Sequence, residues 1–435
     1  MTGVAAHRVE IQKRGTRYVL LRNGEPYTIR GVGGRQRLGE AARLGANSVR
    51  TWGGEDAPAV FEQVSRLGLT VFAGIWLSHD AKDYQSDAYK ASKRAETIHL
   101  VDRYKDHPQL LVWALGNEIQ LGADIPEAWQ FVEELAQLVK QRDPNHPIAT
   151  VTAHAPTVVL DHIAQYAPSI TLLGVNSYAG LPVVPRDMEP SKFKGPFVIT
   201  EWGPDGHWES ATTQWGRPIE QSSAQKAAVY AERQRLIESW SDHCLGSYVF
   251  LWGQKQERTS TWYGLFLEDR PALGLRAEMT PQLDVIATGW SGRSPASVAP
   301  VVTGLTLDGR KPEDSVVLRP GARVHAVAQL GVANGPLPPE GQVSPGKEAS
   351  REPQPSGTVK FVWELLQEPV TVGQGGAHED RPPRAATELS PSGAQVSFAA
   401  PPPGEYRLFF YALENGKAGT ANFPFKVQSK EEPSP

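Results

Sequence analysis

Eight short strand-like runs alternating with helical patterns set the strongest limit on the folding of this 435-residue chain. The fourth run states the pattern most clearly. Leu110 to Leu115 is continuously apolar and stops at Gly116, Asn117 and Glu118. An apolar run cut off by a turn reads as a strand buried on both faces. A second stretch, Gly195-Pro-Phe-Val-Ile-Thr-Glu201-Trp-Gly, again ends a short strand in one glutamate. The other strands are predicted at 28–34, 46–53, 69–77, 147–154, 171–178 and 246–253. Between them lie helices marked by three- and four-residue apolar spacing. The pattern Val60, Phe61, Val64, Leu67 is one, closed by Gly68, and Trp129, Val132, Leu135, Val139 is another. Ser222-Ser-Ala-Gln225 has the spacing of a capping box at the head of a later helix. Eight strand–helix units in about 250 residues predict a (β/α)8 TIM barrel of the α/β class.

Residues 8–27 precede the alternation and alternate apolar with polar. With the tight turn Arg22-Asn-Gly-Glu they predict a β-hairpin able to plug the bottom of a barrel. Near Ser291 the helical period ends. Seven short strand patterns follow between 301 and 427, with Trp363 and Tyr406 as core aromatics, and predict a small immunoglobulin-like β-sandwich. The expected domains are therefore a barrel with its hairpin at 1–290, a linker at 291–300, a sandwich at 301–428 and a disordered tail at 429–435. Two inserts rich in Pro, Gly, Glu and Ser, about 333–357 and 372–390, are expected to be mobile loops. The sandwich is expected to carry no catalytic groups and to serve spacing, stability or weak glycan contact.

Composition excludes several classes of function. A formal net charge of −4 lacks the basic footprint of a nucleic-acid binder. No apolar run has membrane-spanning length, so no membrane span is expected. The one cysteine, Cys244, allows no intrachain disulfide. The start, Met-Thr-Gly-Val-Ala-Ala-His, lacks the basic and apolar regions of a signal peptide. A secreted or periplasmic location is the expectation if a leader has been removed. His79, His154 and His207 lack metal-ligand spacing, no Gly-x-Ser-x-Gly elbow is present, and Gly31-Val-Gly-Gly lacks the lysine of a phosphate loop. Neither a metal nor a cofactor is expected.

Chemistry in α/β barrels gathers at the carboxyl ends of the strands. There the sequence places Arg50, His79, Asn117 with Glu118, His154, Asn176 with Tyr178, Glu201 and Trp252. Trp208 stands in the long loop after the seventh strand. Either glutamate alone could be a solvated loop charge. Two strand-end carboxylates in one chain suggest an acid/base and nucleophile pair. Twelve tryptophans, several near strand ends, suit either core packing or stacking on sugar rings.

These residues resemble a known family. Asn-Glu after the fourth strand paired with Glu after the seventh is similar to clan A of the retaining glycoside hydrolases. The form Leu-Gly-Asn-Glu, and a hairpin before Thr-Ile-Arg-Gly-Val, most resemble the catalytic barrel of glycoside hydrolase family 2, over about residues 15–290. The family normally places a sugar-binding jelly roll and an immunoglobulin-like domain before the barrel; here nothing of that size precedes it and a sandwich follows. The resemblance implies Glu118 as acid/base and Glu201 as nucleophile. Arg50 and Tyr178 would favour an ionised Glu201, Asn117 would bind the 2-hydroxyl of the reacting sugar, and Trp252 would form the apolar floor beneath it. His79, His154, Asn176 and Trp208 complete the expected substrate contacts. The implied function is a retaining β-glycoside hydrolase acting on a β-linked glucan or related oligosaccharide. A transglycosylase using the same covalent intermediate, a non-catalytic carbohydrate-binding barrel, and a structural protein in which the sandwich does the work are the alternatives.

Overall fold

The computed structural model describes residues 7–331, 359–369 and 379–429. The insert expected at 333–357, residues 372–378 of the second insert, and all but the first residue of the tail lie outside the described residues. The chain divides into two compact units, one of residues 1–203 and 233–253, the other of residues 204–232 and 254–435.

The first unit is a closed barrel. Strands β1 (Val9–Arg14), β2 (Arg17–Arg22) and β3 (Glu25–Pro26) form an antiparallel ribbon ahead of it. Asn23 and Gly24 both have positive φ in the turn between β2 and β3, the demand that selects Asn-Gly there. The barrel strands are β4 (Ile29–Gly33), β5 (Ser48–Arg50), β6 (Thr70–Ile75), β7 (Leu110–Asn117), β8 (Ile148–Ala153), β9 (Leu172–Asn176), β10 (Phe197–Trp202) and β11 (Cys244–Val249). They pair in the order β10-β11-β4-β5-β6-β7-β8-β9 and close, each neighbour parallel. All eight residues of β7 and all six of β6 are buried, as a strand walled by interior on one side and helices on the other requires. The helix Pro126–Arg142 shows the outer packing. Trp129, Val132, Leu135, Ala136 and Val139 are buried at three- and four-residue spacing, and its Pro126 occupies a first-turn position where a missing N–H costs nothing.

The ribbon closes the amino-terminal end. His7 bonds the Leu110 carbonyl, Val9 N donates to Asn145 O, Tyr18 Oη donates to Lys194 O and Arg22 donates to Pro108 O. Those acceptors lie where β7, β8 and β10 begin. Val9 and Leu20 join Phe72, Leu111, Val112 and Val198 in one apolar cluster. Above it the interior is hydrogen-bonded. Tyr248 Oη meets Ser48 Oγ at 2.8 Å, Thr70 Oγ1 donates to Ser48 Oγ at 2.8 Å, and Tyr27 Oη meets Thr70 Oγ1 at 3.0 Å. With one end plugged, the carboxyl ends of the strands are the open mouth.

The second unit contains a sandwich of two four-stranded sheets. One orders β12 (Val302–Leu307), β14 (Arg323–Leu330), β17 (Gln395–Ala399) and β16 (Leu389–Ser392). The other orders β13 (Val317–Leu318), β19 (Lys417–Val427), β18 (Gly404–Glu414) and β15 (Lys360–Gln367). Every pairing is antiparallel except β13 with β19. Trp363 and Tyr406 are buried in its core, Trp363 with its ring 4.6 Å from that of Phe410 and Tyr406 donating to the Pro402 carbonyl at 2.9 Å. β16 and the residues before it differ from the expectation of a loop to 390. Arg381 bonds Glu364 and Glu268, and Arg384 bridges to Leu366, so the chain is fastened before it enters β16.

The same unit holds the long segments that follow β10 and β11. Glu220 and Lys226 form an ion pair there with both side chains buried. Thr259, Thr261 and Asn422 also donate to Glu220, and the Lys226 ammonium is further held by the Thr261 and Trp262 carbonyls. Burial acts to raise the Glu220 carboxyl, but Lys226, Thr259 and Arg407 together hold it below the ordinary range. Ser222 and Gln225 form the expected capping box, the Gln225 amide oxygen accepting from Ser222 N at 2.8 Å and Ser222 Oγ from Gln225 N at 3.3 Å.

Candidate active site

Glu201 is 7% exposed near the end of β10 and has three donors. Arg50 Nη1 donates to its Oε1 at 2.8 Å, the Trp52 indole Nε1 donates to the same oxygen at 2.8 Å, and Tyr178 Oη donates to Oε2 at 2.8 Å. Arg50 ends β5, is 1% exposed, and also donates to the Thr200 carbonyl and, at 2.5 Å, to Asn117 Oδ1. A buried guanidinium with that many acceptors is fully paired, which is what makes its burial tolerable. Glu201 is therefore held by one cation and two neutral donors, shared between its two oxygens.

Glu118 stands at the end of β7 in a different setting. Gly116 has φ +78° and Glu118 itself has φ +53°. The register to β8 shifts between Ala114 and Asn117. A bulge of this kind bends a strand end and re-aims its side chains. A left-handed glutamate is strained by about 1–3 kcal/mol, the type of strain that collects at functional sites. Asn176 Nδ2 donates to Glu118 Oε1 at 2.8 Å and lies 3.1 Å from Asn117 Oδ1. Thr200 Oγ1 in turn donates to Asn176 Oδ1 at 2.8 Å, which fixes the orientation of that amide. The two glutamates thus share one network through Asn176, Asn117 and Arg50. Asn117 Oδ1 is committed to Arg50 and Asn176, so its NH2 is the end turned to other partners.

The two histidines near this network bond to protein. His79 Nε2 donates to the Asn117 carbonyl at 2.6 Å, bracing the turn that carries Glu118. His154, at φ +55°, has Nδ1 3.1 Å from Ser177 Oγ and Nε2 2.9 Å from Asp187 Oδ2. That clamp holds the loop beginning with Ser177 and Tyr178. Hydrogen bonds from His154 and Arg186 keep the Asp187 carboxyl below the usual range. Trp252 is 1% exposed and its indole lies 3.4 Å from the Arg37 carbonyl. Trp208 belongs to the second compact unit, where it is 58% exposed with its ring 4.8 Å from that of His207. Burial lowers His207 to about 4.

Two aromatic residues of the network were not singled out in the sequence. Trp52 is one. It follows Arg50 by two positions, the spacing that returns a side chain to the same face of a strand, and this was the available signal. Gly74 makes room for it: a Cβ there would come within 2.4 Å of the Thr51 carbonyl oxygen and 2.6 Å of the Trp52 backbone. Phe250 is the other. Its ring is edge-on to both Trp52, at 6.0 Å, and Tyr178, at 6.1 Å.

Among the described residues no group of His, Cys, Asp and Glu is arranged to hold a metal ion, and no helix is long and apolar enough to cross a membrane. Residues 41–207 match the family described as glycosyl hydrolases family 2, TIM barrel domain. Over 236 residues, 45% of this chain, the sequence is 25% identical to a β-glucuronidase of Paenibacillus borealis, of which it covers 38%. Over 211 residues, 42% of this chain, it is 27% identical to a β-galactosidase of Vibrio cholerae, of which it covers 18%. The chain thus spans less than half the length of either relative. Among solved structures it is similar to a β-galacturonidase of Eisenbergiella tayi bound to galacturonate, with a TM-score of 0.50 at 16% identity over 66% of this chain and 54% of that one. It is also similar to a β-glucuronidase of Ruminococcus gnavus in complex with C6-substituted uronic isofagomine, with a TM-score of 0.51 at 16% identity over 66% and 53%. Both likenesses are of fold.

Proposed function

We propose that this chain, whose barrel is that of glycosyl hydrolases family 2, is a retaining β-glycosidase with Glu201 as nucleophile and Glu118 as acid/base. The observation that carries the reading is the unequal setting of the two carboxylates. Glu201 accepts from Arg50, Trp52 and Tyr178, whereas Glu118 accepts from the Asn176 amide in a strained turn. Retaining hydrolysis needs one carboxyl group to attack C1 and a second to give and take a proton, and the donors fixed on Glu201 favour it for the attack.

In the first step a Glu201 oxygen bonds to C1 as the C1–O bond to the leaving group breaks, and Glu118 gives its proton to the departing oxygen. In the second, Glu118 takes a proton from water as the water oxygen bonds to C1 and releases Glu201. Arg50, Trp52 and Tyr178 hold the nucleophile in its attacking orientation. Asn117, its amide oxygen fixed by Arg50 and Asn176, presents NH2 to the sugar 2-hydroxyl, where hydrogen bonds strengthen in the transition state. Phe250 and Trp252 give the site apolar walls. His79 and His154 act through the turns they brace.

The relatives are named for β-glucuronides, β-galactosides and β-galacturonides; for this chain we infer a β-linked glucan or related oligosaccharide. The test is a panel of aryl β-glucosides, galactosides, glucuronides and galacturonides with the product anomer read by NMR. The β anomer is expected first. Glu201→Ala should lose activity, with azide restoring an α-linked product. Glu118→Ala should still turn over substrates with good leaving groups, with azide yielding the β-linked product. An inverted first product refutes the assignment, and exchanged azide stereochemistry reverses the two roles.

A further inference from the structure

We propose that the barrel mouth contains a second sugar subsite, on the side of the non-leaving sugar, built to take one neutral pyranose. The inference rests on the glycosidase reading and extends it to the form of the substrate. The observation is a cavity of about 270 Å³ whose wall includes Arg50 and Trp52, the two residues that also bond Glu201. Its other walls come from the segments after β4, β5 and β11, with Trp252 among them. That volume is close to the lower end of small-molecule sites, about 300 Å³, and suits one ring.

The position assigns the side. An acid/base must reach the leaving oxygen, so the leaving group lies toward Glu118, after β7. The barrel order puts β11, β4 and β5 on one continuous arc that excludes β7. A cavity on that arc, sharing a wall with the nucleophile, opens away from the leaving group and toward the rest of the retained sugar.

The lining assigns the chemistry. Gln36 and Glu55 border the cavity, with Arg35 paired to Asp56 at the rim. Arg50 is already neutralised by Glu201. Glu55 is left as the carboxylate with no ion-pair partner among the described residues. It can accept hydroxyl hydrogens from a neutral sugar, whereas a uronate would set like charges together. Trp52, half-buried at the cavity wall, supplies the aromatic surface against which a pyranose face packs. A substrate of at least two retained units follows, which a single-sugar exo-acting pocket does not need.

The experiment compares kcat/KM for p-nitrophenol release from β-glucoside, β-cellobioside and β-laminaribioside. Binding of glucose, cellobiose and laminaribiose is measured alongside by titration calorimetry. At least one disaccharide should exceed the monosaccharide by about tenfold or more in each measure. Glu55→Ala and Gln36→Ala should bring that ratio within about twofold while leaving hydrolysis of the monoglucoside within about twofold of wild type. A wild-type ratio near one, or variants that lower both substrates equally, overturns the subsite. Disaccharide-selective binding that Glu55→Ala abolishes, without turnover of any aryl glycoside, upholds the subsite and rejects the glycosidase reading instead.

Discussion

Trp52→Phe tests the site at its least expected member. The indole Nε1 donates to Glu201 Oε1 at 2.8 Å, and phenylalanine removes that donor while keeping a ring. The ring has work of its own, edge-on to Phe250 and 4.8 Å from the Arg50 guanidinium carbon, and phenylalanine retains part of both contacts. A hydrogen bond to a charged group contributes about 1.5–3 kcal/mol. Trp52 is only half-buried and Arg50 still donates to the same oxygen, so the lower half of that range applies. At about 1.4 kcal/mol per tenfold, the first covalent step should slow by about 10- to 40-fold. The assay is the burst of aryl leaving group, read by stopped flow, together with kcat/KM. The urea midpoint should hardly move, since no buried group is left unpaired. Tyr178→Phe should cost a similar factor by stripping Oε2, and the double variant should depart from additivity because both donors serve one carboxylate. A Trp52→Phe enzyme within twofold of wild type in the burst rate would refute the claim that this indole helps hold the nucleophile.

Three further outcomes follow from the packing. Gly74→Ala would drive a methyl into the Thr51–Trp52 backbone, so it should lower activity by at least about tenfold and stability by about 1–3 kcal/mol, checked by kinetics and urea unfolding. Burial acts to raise the Asp143 carboxyl, but the His146 ring, the Trp113 indole and the Asn145 N–H together hold it below its ordinary 3.8. A depressed folded value means its stabilisation is present above the unfolded value and lost as pH falls through the folded one, so wild type should lose more stability below about pH 4 than Asp143→Asn does, seen in urea midpoints across pH. Glu220→Ala leaves the Lys226 ammonium buried without its counter-ion and should cost about 3–5 kcal/mol in chemical unfolding, while Glu220→Gln with Lys226→Met together should recover much of it.

The barrel was legible because its signal is repeated. Each strand is an apolar run cut off by polar residues, and β7 and β10 lie within a residue or two of where their runs begin and end. β5 was harder. Its expected span of 46–53 shrinks to Ser48–Arg50, since the chain turns away at Trp52 through Gly53 and Gly54, and a short strand carries too few positions to show a period. β16 was missed because Leu389-Ser-Pro-Ser offers neither alternation nor an apolar run; pairing with β17, distant from any local preference, makes it a strand. The segments 204–221 and 254–264 were opaque for the same reason. Nothing local singles out Glu220 and Lys226, and only the fold brings Thr259, Thr261 and Asn422 around them.

At the site, identity was easier to read than geometry. Arg50, Asn117, Glu118, Asn176, Tyr178 and Glu201 were all visible as polar residues at strand ends, and they form one hydrogen-bonded network. What a strand end cannot reveal is which way its neighbours turn. Trp52 and Phe250 were passed over because aromatic residues beside strands ordinarily mean packing. His79 and His154 were assigned to substrate with the rest of the strand-end set; each ring also bonds a neighbouring segment, a difference the sequence did not show. The difference has a physical origin. Glu118 and His154 are held at positive φ, a conformation no pattern of residue types encodes, and a strained turn must be tied down from outside. His79 does this by bonding the Asn117 carbonyl, and Ser177 and Asp187 do it for His154. Side chains that brace strain stand beside the two glutamates and share the residue types of substrate contacts, so the bracing shows only when the acceptor of each hydrogen bond is known.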